Sequence, residues 1–338
     1  MPNALSVVHS ALCVQHFILI YTMIKIVVTD GYTLNPGDLS WESISNLGEL
    51  TIYDRTATHE IVERCREADI VLTNKVPFNE TTINQLPRLK MISVLATGYN
   101  VIDVQAARKK GIVVCNVPAY GTASVAQHAF ALILELTNHV GIHAASVATG
   151  EWVTAKDWCY QKRAVTELAG KTLGIAGWGN IGKQTARIAQ AFDMRIVYYN
   201  PAPKENAFAE WVPLPDLFAL SDVVSLHCPL KPDNVAFVNN DLLRLMKPSA
   251  FLVNTSRGQL INESHLAAAL NNEQIAGAAI DVLSTEPPLA DNPLLTAKNC
   301  IITPHNAWIS KEARLRVMNT TAGNIQSFLN NQPVHVVA

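Results

Sequence analysis

Arg257, Glu286 and His305 are the side chains of this sequence best suited to acid/base work on a small anion. Each follows a short apolar run: Arg257 in Val253-Asn-Thr-Ser-Arg-Gly258, Glu286 in Asp281-Val-Leu-Ser-Thr-Glu-Pro-Pro288, and His305 in Ile302-Thr-Pro-His-Asn-Ala-Trp308. A guanidinium anchors a carboxylate and polarises a carbonyl, while a histidine beside a carboxylate gives or takes a proton. Singly, each has an ordinary reading: a surface ion-pairing arginine, a helix-capping glutamate, a loop histidine. Together, at three successive strand ends, they form the anchor and acid/base set that reduction of a keto acid requires.

Upstream lies a phosphate-binding candidate, Gly177-Trp-Gly179-Asn-Ile-Gly182, which matches G-x-G-x-x-G. The match gains weight from its context, since it follows a predicted strand (172–176) and opens a predicted helix (181–191). Gly177 and Gly179 let the backbone turn and approach a pyrophosphate, Gly182 lets helix and strand pack closely, and the helix start at Asn180 and Ile181 offers amide donors. An acid about 20 residues on would hold the ribose of NAD. This chain has Asn200 there, in Tyr199-Asn-Pro-Ala-Pro-Lys204. Asn200 can bond ribose hydroxyls without repelling a 2′-phosphate, and Lys204 could attract one. NAD and NADP both stay open, with NAD ahead.

These residues need a scaffold of parallel strands, and the pattern supplies one. Short β-branched runs alternate with helical stretches, which implies α/β architecture. Strands are predicted at 25–29, 70–73, 91–94 and 112–115, with a helix near 103–108, giving a first unit over 23–121. A long apolar helix is predicted from Ser124, as N-cap, to about residue 140. An aromatic-rich stretch with Trp152, Trp158 and Tyr160 follows. It reads equally as a dimer arm or as a segment packed on its own domain. Six further strands are predicted, at 172–176, 195–199, 223–226, 250–254, 278–282 and 301–303. A last helix over 310–328 could return to the first unit.

At 338 residues, 49% hydrophobic and 16% charged, the chain suits two α/β domains with buried sheets. Its formal net charge is −2 with no basic run, which gives nucleic acid or an anionic membrane no electrostatic support. Cys13, Cys65, Cys115, Cys159, Cys228 and Cys300 are scattered and imply reduced thiols in the cytoplasm, with no metal site. Residues 1–22 carry no charge and include Phe17-Ile-Leu-Ile-Tyr21, but Asn3, Ser6, His9, Ser10, Gln15 and His16 interrupt the roughly 20 apolar residues a membrane span needs. A disordered extension is expected there.

With these blocks in hand, the chain resembles the D-isomer-specific 2-hydroxyacid dehydrogenase family, and within it the glycerate dehydrogenase/hydroxypyruvate reductase branch. The resemblance covers about residues 23–335. It rests on Leu95-Ala-Thr-Gly-Tyr-Asn-Val-Ile-Asp103, Thr122-Ala-Ser-Val-Ala-Gln-His128, the glycine loop, His227-Cys-Pro-Leu230 and the blocks around Arg257, Glu286 and His305. It implies two Rossmann-like domains, with a cofactor domain (122–308) inserted in a flavodoxin-like catalytic domain (23–121 and 309–338), and a homodimer. The substrate would be a small 2-keto or 2-hydroxy acid in the cleft between the domains. By resemblance, His305 would be the general acid, Glu286 its partner favouring the charged imidazolium, and Arg257 the bridge between carboxylate and keto oxygen. Backbone amides at Thr97 and Gly98 would hold the carboxylate. Pro229 would line the adenosine side, and Thr255 and Asp281 would meet the nicotinamide end. Asn200 and residues 1–22 depart from the family pattern. A glyoxylate reductase is the competing reading, and an NAD(H)-sensing co-repressor a remote one. Glu286 stands where formate dehydrogenases use Gln, which disfavours formate.

Overall fold

The computed structural model describes residues 23–204 and 208–338, so the expected extension over 1–22 lies outside the described residues. Strands β1 (Lys25–Val28), β2 (Glu49–Ile52), β3 (Ile70–Thr73), β4 (Met91–Val94) and β5 (Val113–Cys115) form a parallel sheet in the order β2-β1-β3-β4-β5. That is the flavodoxin-like order. β3 and β4 are buried at every residue, which is why their sequences read as unbroken apolar runs. Helices α1 (Glu42–Ser45), α2 (Ile61–Cys65), α3 (Glu80–Asn84) and α4 (Val104–Lys109) connect these strands. Asp103 caps α4 by accepting the Ala106 amide at 3.0 Å.

After β5 come α5 (Thr122–Asn138) and α6 (Val140–Ala148), then β6 (Thr172–Ala176), α7 (Asn180–Gln190), β7 (Arg195–Tyr199), β8 (Glu210–Trp211), α8 (Leu214–Leu220) and β9 (Val223–Leu226). The chain continues through α9 (Asn240–Leu243), β10 (Phe251–Asn254), α10 (Glu263–Asn271), β11 (Gly277–Ile280) and β12 (Cys300–Ile302). The second sheet has seven parallel strands in the order β12-β11-β10-β9-β6-β7-β8. Counted from β6, this is the dinucleotide-binding order 3-2-1-4-5-6 with one more strand, and its topological switch lies between β6 and β9.

The structure departs from the sequence expectation at four points. β2 is a strand the pattern did not reveal: it is an edge strand with no buried residue. β8 raises the second sheet from six strands to seven, and its two residues are both exposed. Ser124 is not an N-cap, because α5 begins at Thr122 after Gly121, and the Ser124 hydroxyl instead donates to the Ala307 carbonyl at 2.7 Å. Moreover, the long helix breaks at His139, whose left-handed φ of 53° separates α5 from α6 with a 62° bend.

α5 buries Phe130, Leu132, Ile133 and Leu136 against Leu173, Ile175 and Val253 of the second sheet. Each such side chain contributes about 1.5–3 kcal/mol on burial. The last helix, α11 (Lys311–Leu329), instead carries Val317, Met318 and Ile325 back onto Val28, Leu72 and Met91 of the first sheet. Arg314 fastens it there with a two-pronged pair to Asp38, at 2.6 and 2.7 Å. The C-terminal residues pair antiparallel beside β5, with Val337 donating to the Val114 carbonyl at 2.8 Å. This covers a sheet edge that would otherwise lie open. Among the described residues, no single helix is long and apolar enough to cross a membrane.

Candidate active site

The glycine loop leaves β6 at its carboxyl end. Gly177 has φ 108°, and a Cβ there would lie 2.5 Å from the Cys228 amide nitrogen, so no larger residue fits. A Cβ on Gly182 would collide with the Gly177 carbonyl, which explains the close seat of α7 on the loop. Gly179 is the N-cap of α7 and has nothing within 4 Å of a notional Cβ. Open space in front of a helix N-terminus is what an incoming phosphate needs.

Trp178 folds under this loop and stacks on Tyr198 with ring centroids 4.4 Å apart. The Tyr198 hydroxyl donates to the Lys204 carbonyl at 2.6 Å and accepts the Lys204 amide at 2.8 Å, closing the turn after β7. Asn200 sits in that turn. Its side-chain nitrogen donates to the Ala202 carbonyl at 3.2 Å, and its own carbonyl accepts Trp211 Nε1 at 3.0 Å. Asn200 does not line the main cleft, whereas Gly179, Asn180, Ile181, Pro229 and Thr255 do. The cleft measures about 480 Å3 and opens between the carboxyl ends of the two sheets. The hydroxyl oxygen of Thr255 is buried on its wall without a partner. Glycines that admit a pyrophosphate, a helix N-terminus and an unpaired hydroxyl on the cleft wall together fit a dinucleotide.

Across the cleft stand Thr97 and Gly98, just past β4. The Thr97 hydroxyl donates to the Val117 carbonyl at 2.8 Å, and its carbonyl accepts Asn116 Nδ2 at 2.7 Å, so this turn is held firmly. Arg257 reaches it from the second sheet: a Cβ on Gly98 would be 2.8 Å from Arg257 Nη2. The arginine loop is fixed by Asn254, which accepts the Ser256 amide and donates to the Arg257 carbonyl, both at 2.9 Å. Arg257 Nη1 donates to the Ser256 carbonyl at 2.7 Å.

His305 and Glu286 meet at 2.6 Å, through Nδ1 and Oε2. The second carboxylate oxygen of Glu286 accepts the Leu283 amide at 3.0 Å. Burial opposes the Glu286 charge, yet the hydrogen bond and charge of His305, with the Leu283 amide, hold its carboxyl below the usual range. His305 has φ 51°, a left-handed conformation uncommon for a side chain of this size, and its amide is tied to the Asp281 carbonyl at 2.8 Å. Asp281, at the end of β11, is fully buried and accepts Thr303 Oγ1 at 2.6 Å, the Asn306 amide at 2.9 Å and the Ala307 amide at 3.1 Å. His128 Nε2 lies 3.5 Å from it. Burial again opposes the charge, and these donors outweigh it, so its carboxyl too is held below the ordinary value. The loops after β11 and β12 are thereby laced into one frame for His305.

Arg257, His305, Thr97 and Gly98, expected together, all face one cleft. Motif reading missed Asn74, Lys75 and Asn100, which line the same space. Asn74 and Lys75 follow the carboxyl end of β3, so the strand-end rule that singled out Arg257 would have found them. His227, in its own sequence block, also lines the cleft; burial drops its pKa to about 4, so its ring stays neutral beside Ser225 Oγ at 2.9 Å.

A flavodoxin-like sheet facing a seven-stranded dinucleotide sheet across a cleft, with Arg257 and the Glu286-paired His305 on its wall, fits a nicotinamide-dependent dehydrogenase. A sequence profile of the D-isomer specific 2-hydroxyacid dehydrogenase NAD-binding domain matches residues 130–307. A hydroxypyruvate reductase from Blautia hydrogenotrophica is 48% identical over 320 residues, covering 93% of this chain and 99% of that protein. A glycerate dehydrogenase from Methylorubrum extorquens is 40% identical over 288 residues, covering 84% of this chain and 90% of its own length. Among solved structures, an acyclic imino acid reductase in complex with NADPH and D-Arg superposes with a TM-score of 0.82 at 32% identity, covering 93% of this chain and all of that one. The chain belongs to the D-isomer specific 2-hydroxyacid dehydrogenase family. It is an NAD(P)-dependent enzyme of that family.

Proposed function

We propose that the chain interconverts hydroxypyruvate and D-glycerate, with His305, Glu286 and Arg257 as the working side chains. The observation that carries this reading is the 2.6 Å His305–Glu286 pair on the cleft that Arg257 and the glycine loop share. The hydroxypyruvate reductase and glycerate dehydrogenase relatives favour this substrate. NAD(P)H, when bound, supplies the hydride that reduces the keto carbon. Gly177, Gly179, Asn180, Ile181 and Gly182 receive the pyrophosphate, and Pro229 lines the adenosine side. Asn200, its nitrogen engaged by Ala202, offers a side-chain oxygen to the ribose. Thr255 and Asp281 border the nicotinamide end.

Arg257 and the amides at Thr97 and Gly98 anchor the substrate carboxylate, and Arg257 also draws charge onto the keto oxygen. His305 Nε2 donates the proton that oxygen needs, while Glu286 fixes the ring through Nδ1 and stabilises its charged form. In the reverse direction the same imidazole accepts the hydroxyl proton. Residues 122–308 form the cofactor domain, and 23–121 with 309–338 the catalytic domain; the seating of α11 on the first sheet supports this division. The enzyme works in the cytoplasm, consistent with five free thiols among the described residues.

Glyoxylate is the competing substrate, because a small pocket separates such neighbours by only about 1–3 kcal/mol. The test is oxidation of NADH and of NADPH by the purified protein with hydroxypyruvate, glyoxylate, pyruvate and 3-phosphohydroxypyruvate. Fastest turnover per unit concentration is expected with hydroxypyruvate, and the ratio of the two cofactors reads what Asn200 selects. A higher kcat/KM for any of the other three would reject the substrate.

A further inference from the structure

Lys75 is a cation of the cleft that the proposed mechanism does not use. It follows β3 and borders both the main cleft and an adjoining recess of about 210 Å3, whose walls also include Asn74, Asn100, Arg257, Glu286 and His305. Its backbone is fixed with care. Asp30, buried at the end of β1, accepts the Asn74 amide at 2.9 and 3.1 Å and the Lys75 amide at 2.6 Å. Thr73 Oγ1 closes the same turn on the Val76 carbonyl at 3.1 Å. The Asp30 carboxylate is thus occupied by backbone, and Glu286 is occupied by His305 and Leu283. Among the described residues, the Lys75 ammonium makes no ion pair and no hydrogen bond. Burial lowers its pKa, and repulsion from Arg257 adds to this against the weaker pull of Glu286 and Asp30.

Lys75 is itself exposed on the cleft wall, so water satisfies its ammonium until a ligand fills the recess and takes that water's place. In the reading above, the carboxylate goes to Arg257 and Gly98, and the keto oxygen to Arg257 and His305. The remaining substituent on the keto carbon is C3, and the recess walled by Lys75, Asn74 and Asn100 is left to receive it. We propose that Lys75 is a specificity-determining residue, whose ammonium donates a hydrogen bond to an oxygen carried on C3 of the keto acid. The enzyme thereby selects 2-keto acids oxygenated at C3 over those ending in a methyl group or hydrogen. The physical basis is asymmetric. A methyl group seated in this recess displaces water from the ammonium without replacing its hydrogen bonds, and a site built to bond a hydroxyl rejects analogues lacking it far more strongly than an apolar pocket does.

This inference rests on the proposed function, and one experiment separates the two. Values of kcat/KM are measured for hydroxypyruvate, pyruvate and glyoxylate with the wild-type enzyme, Lys75→Met and Lys75→Arg, and NADH binding is titrated in each protein. The wild type is expected to favour hydroxypyruvate over pyruvate by about 100-fold or more. Lys75→Met should shrink that ratio at least about 10-fold, chiefly through KM for hydroxypyruvate, while Lys75→Arg keeps most of it and NADH affinity is similar in all three. An unchanged ratio in Lys75→Met overturns the inference alone. So does an equal loss toward all three acids, which would place Lys75 at the carboxylate. A wild-type enzyme inert toward every acid overturns the proposed function and this inference with it.

Discussion

Asp281 illustrates how much of a site is decided at single residues. The family resemblance placed it at the nicotinamide end, and it does border the cleft, but its oxygens are taken up by Thr303, Asn306, Ala307 and His128. Replacing it by Asn turns an all-acceptor group into one whose amide hydrogens face other donors. Asp281→Asn should therefore cost about 2–4 kcal/mol at pH 7. The sign with pH follows from its lowered folded-state pKa. Its stabilisation is fully present above the unfolded value near 3.9 and is lost as pH falls through the folded value. The gap in urea unfolding between wild type and variant should hold steady from about pH 5 to 8 and narrow below about pH 4. A gap that persists unchanged at pH 3 would show that the carboxylate charge is not what matters. Arg257, Glu286 and His305 were legible in the sequence because each combines a chemical type with a strand end. Lys75 met the same condition, but a lysine in a loop has so common a surface reading that only its placement over the cleft distinguishes it.

At the scale of elements, the interior strands of both sheets were legible because burial on two faces demands apolar runs. β2 and β8 were not, since edge strands with exposed residues carry no such run. The break between α5 and α6 was also hidden: His139 gives no Gly or Pro signal, yet takes the left-handed conformation there. α6 then stands away from the core, with Ser146 its one buried residue. The segment beyond it folds onto α6 itself, through Tyr160 OH to Ser146 Oγ at 2.6 Å and the Lys162 amide to His143 Nε2 at 3.0 Å. Val140, Ile142, Val147, Val153 and Trp158 remain exposed, Trp158 by 86%. Of the two readings of this stretch, packing on its own domain leaves Trp158 uncovered, and the homodimer expected from the family resemblance would cover it. Sedimentation should give twice the chain mass, and Trp158→Glu with Val153→Glu should shift the protein toward monomer. A wild-type monomer at micromolar concentration would reject that expectation.

At the scale of the whole molecule, function depends on bringing two sheets together. Gly98 and Arg257 are far apart in sequence yet touch across the cleft. The chain passes between the sheets twice, near residues 121 and 308, and the crossings are pinned side by side. Tyr120 packs edge-on against Trp308 at 6.2 Å, and Arg316 Nε donates to the Tyr120 carbonyl at 2.7 Å. Neither contact leaves a periodic trace, because they join residues 188 and 196 positions apart. Sequence pattern could therefore name the interior strands of both sheets and the side chains proposed to do the chemistry, while the cleft between the sheets belongs to the folded chain. Carbonyl reduction in this cleft is proposed to run through His305. Its most direct test is kcat for hydroxypyruvate reduction by His305→Asn beside the wild type, with NADH affinity measured in both. A fall of about 100-fold or more with cofactor binding intact is expected. Turnover within a few-fold of wild type would contradict it.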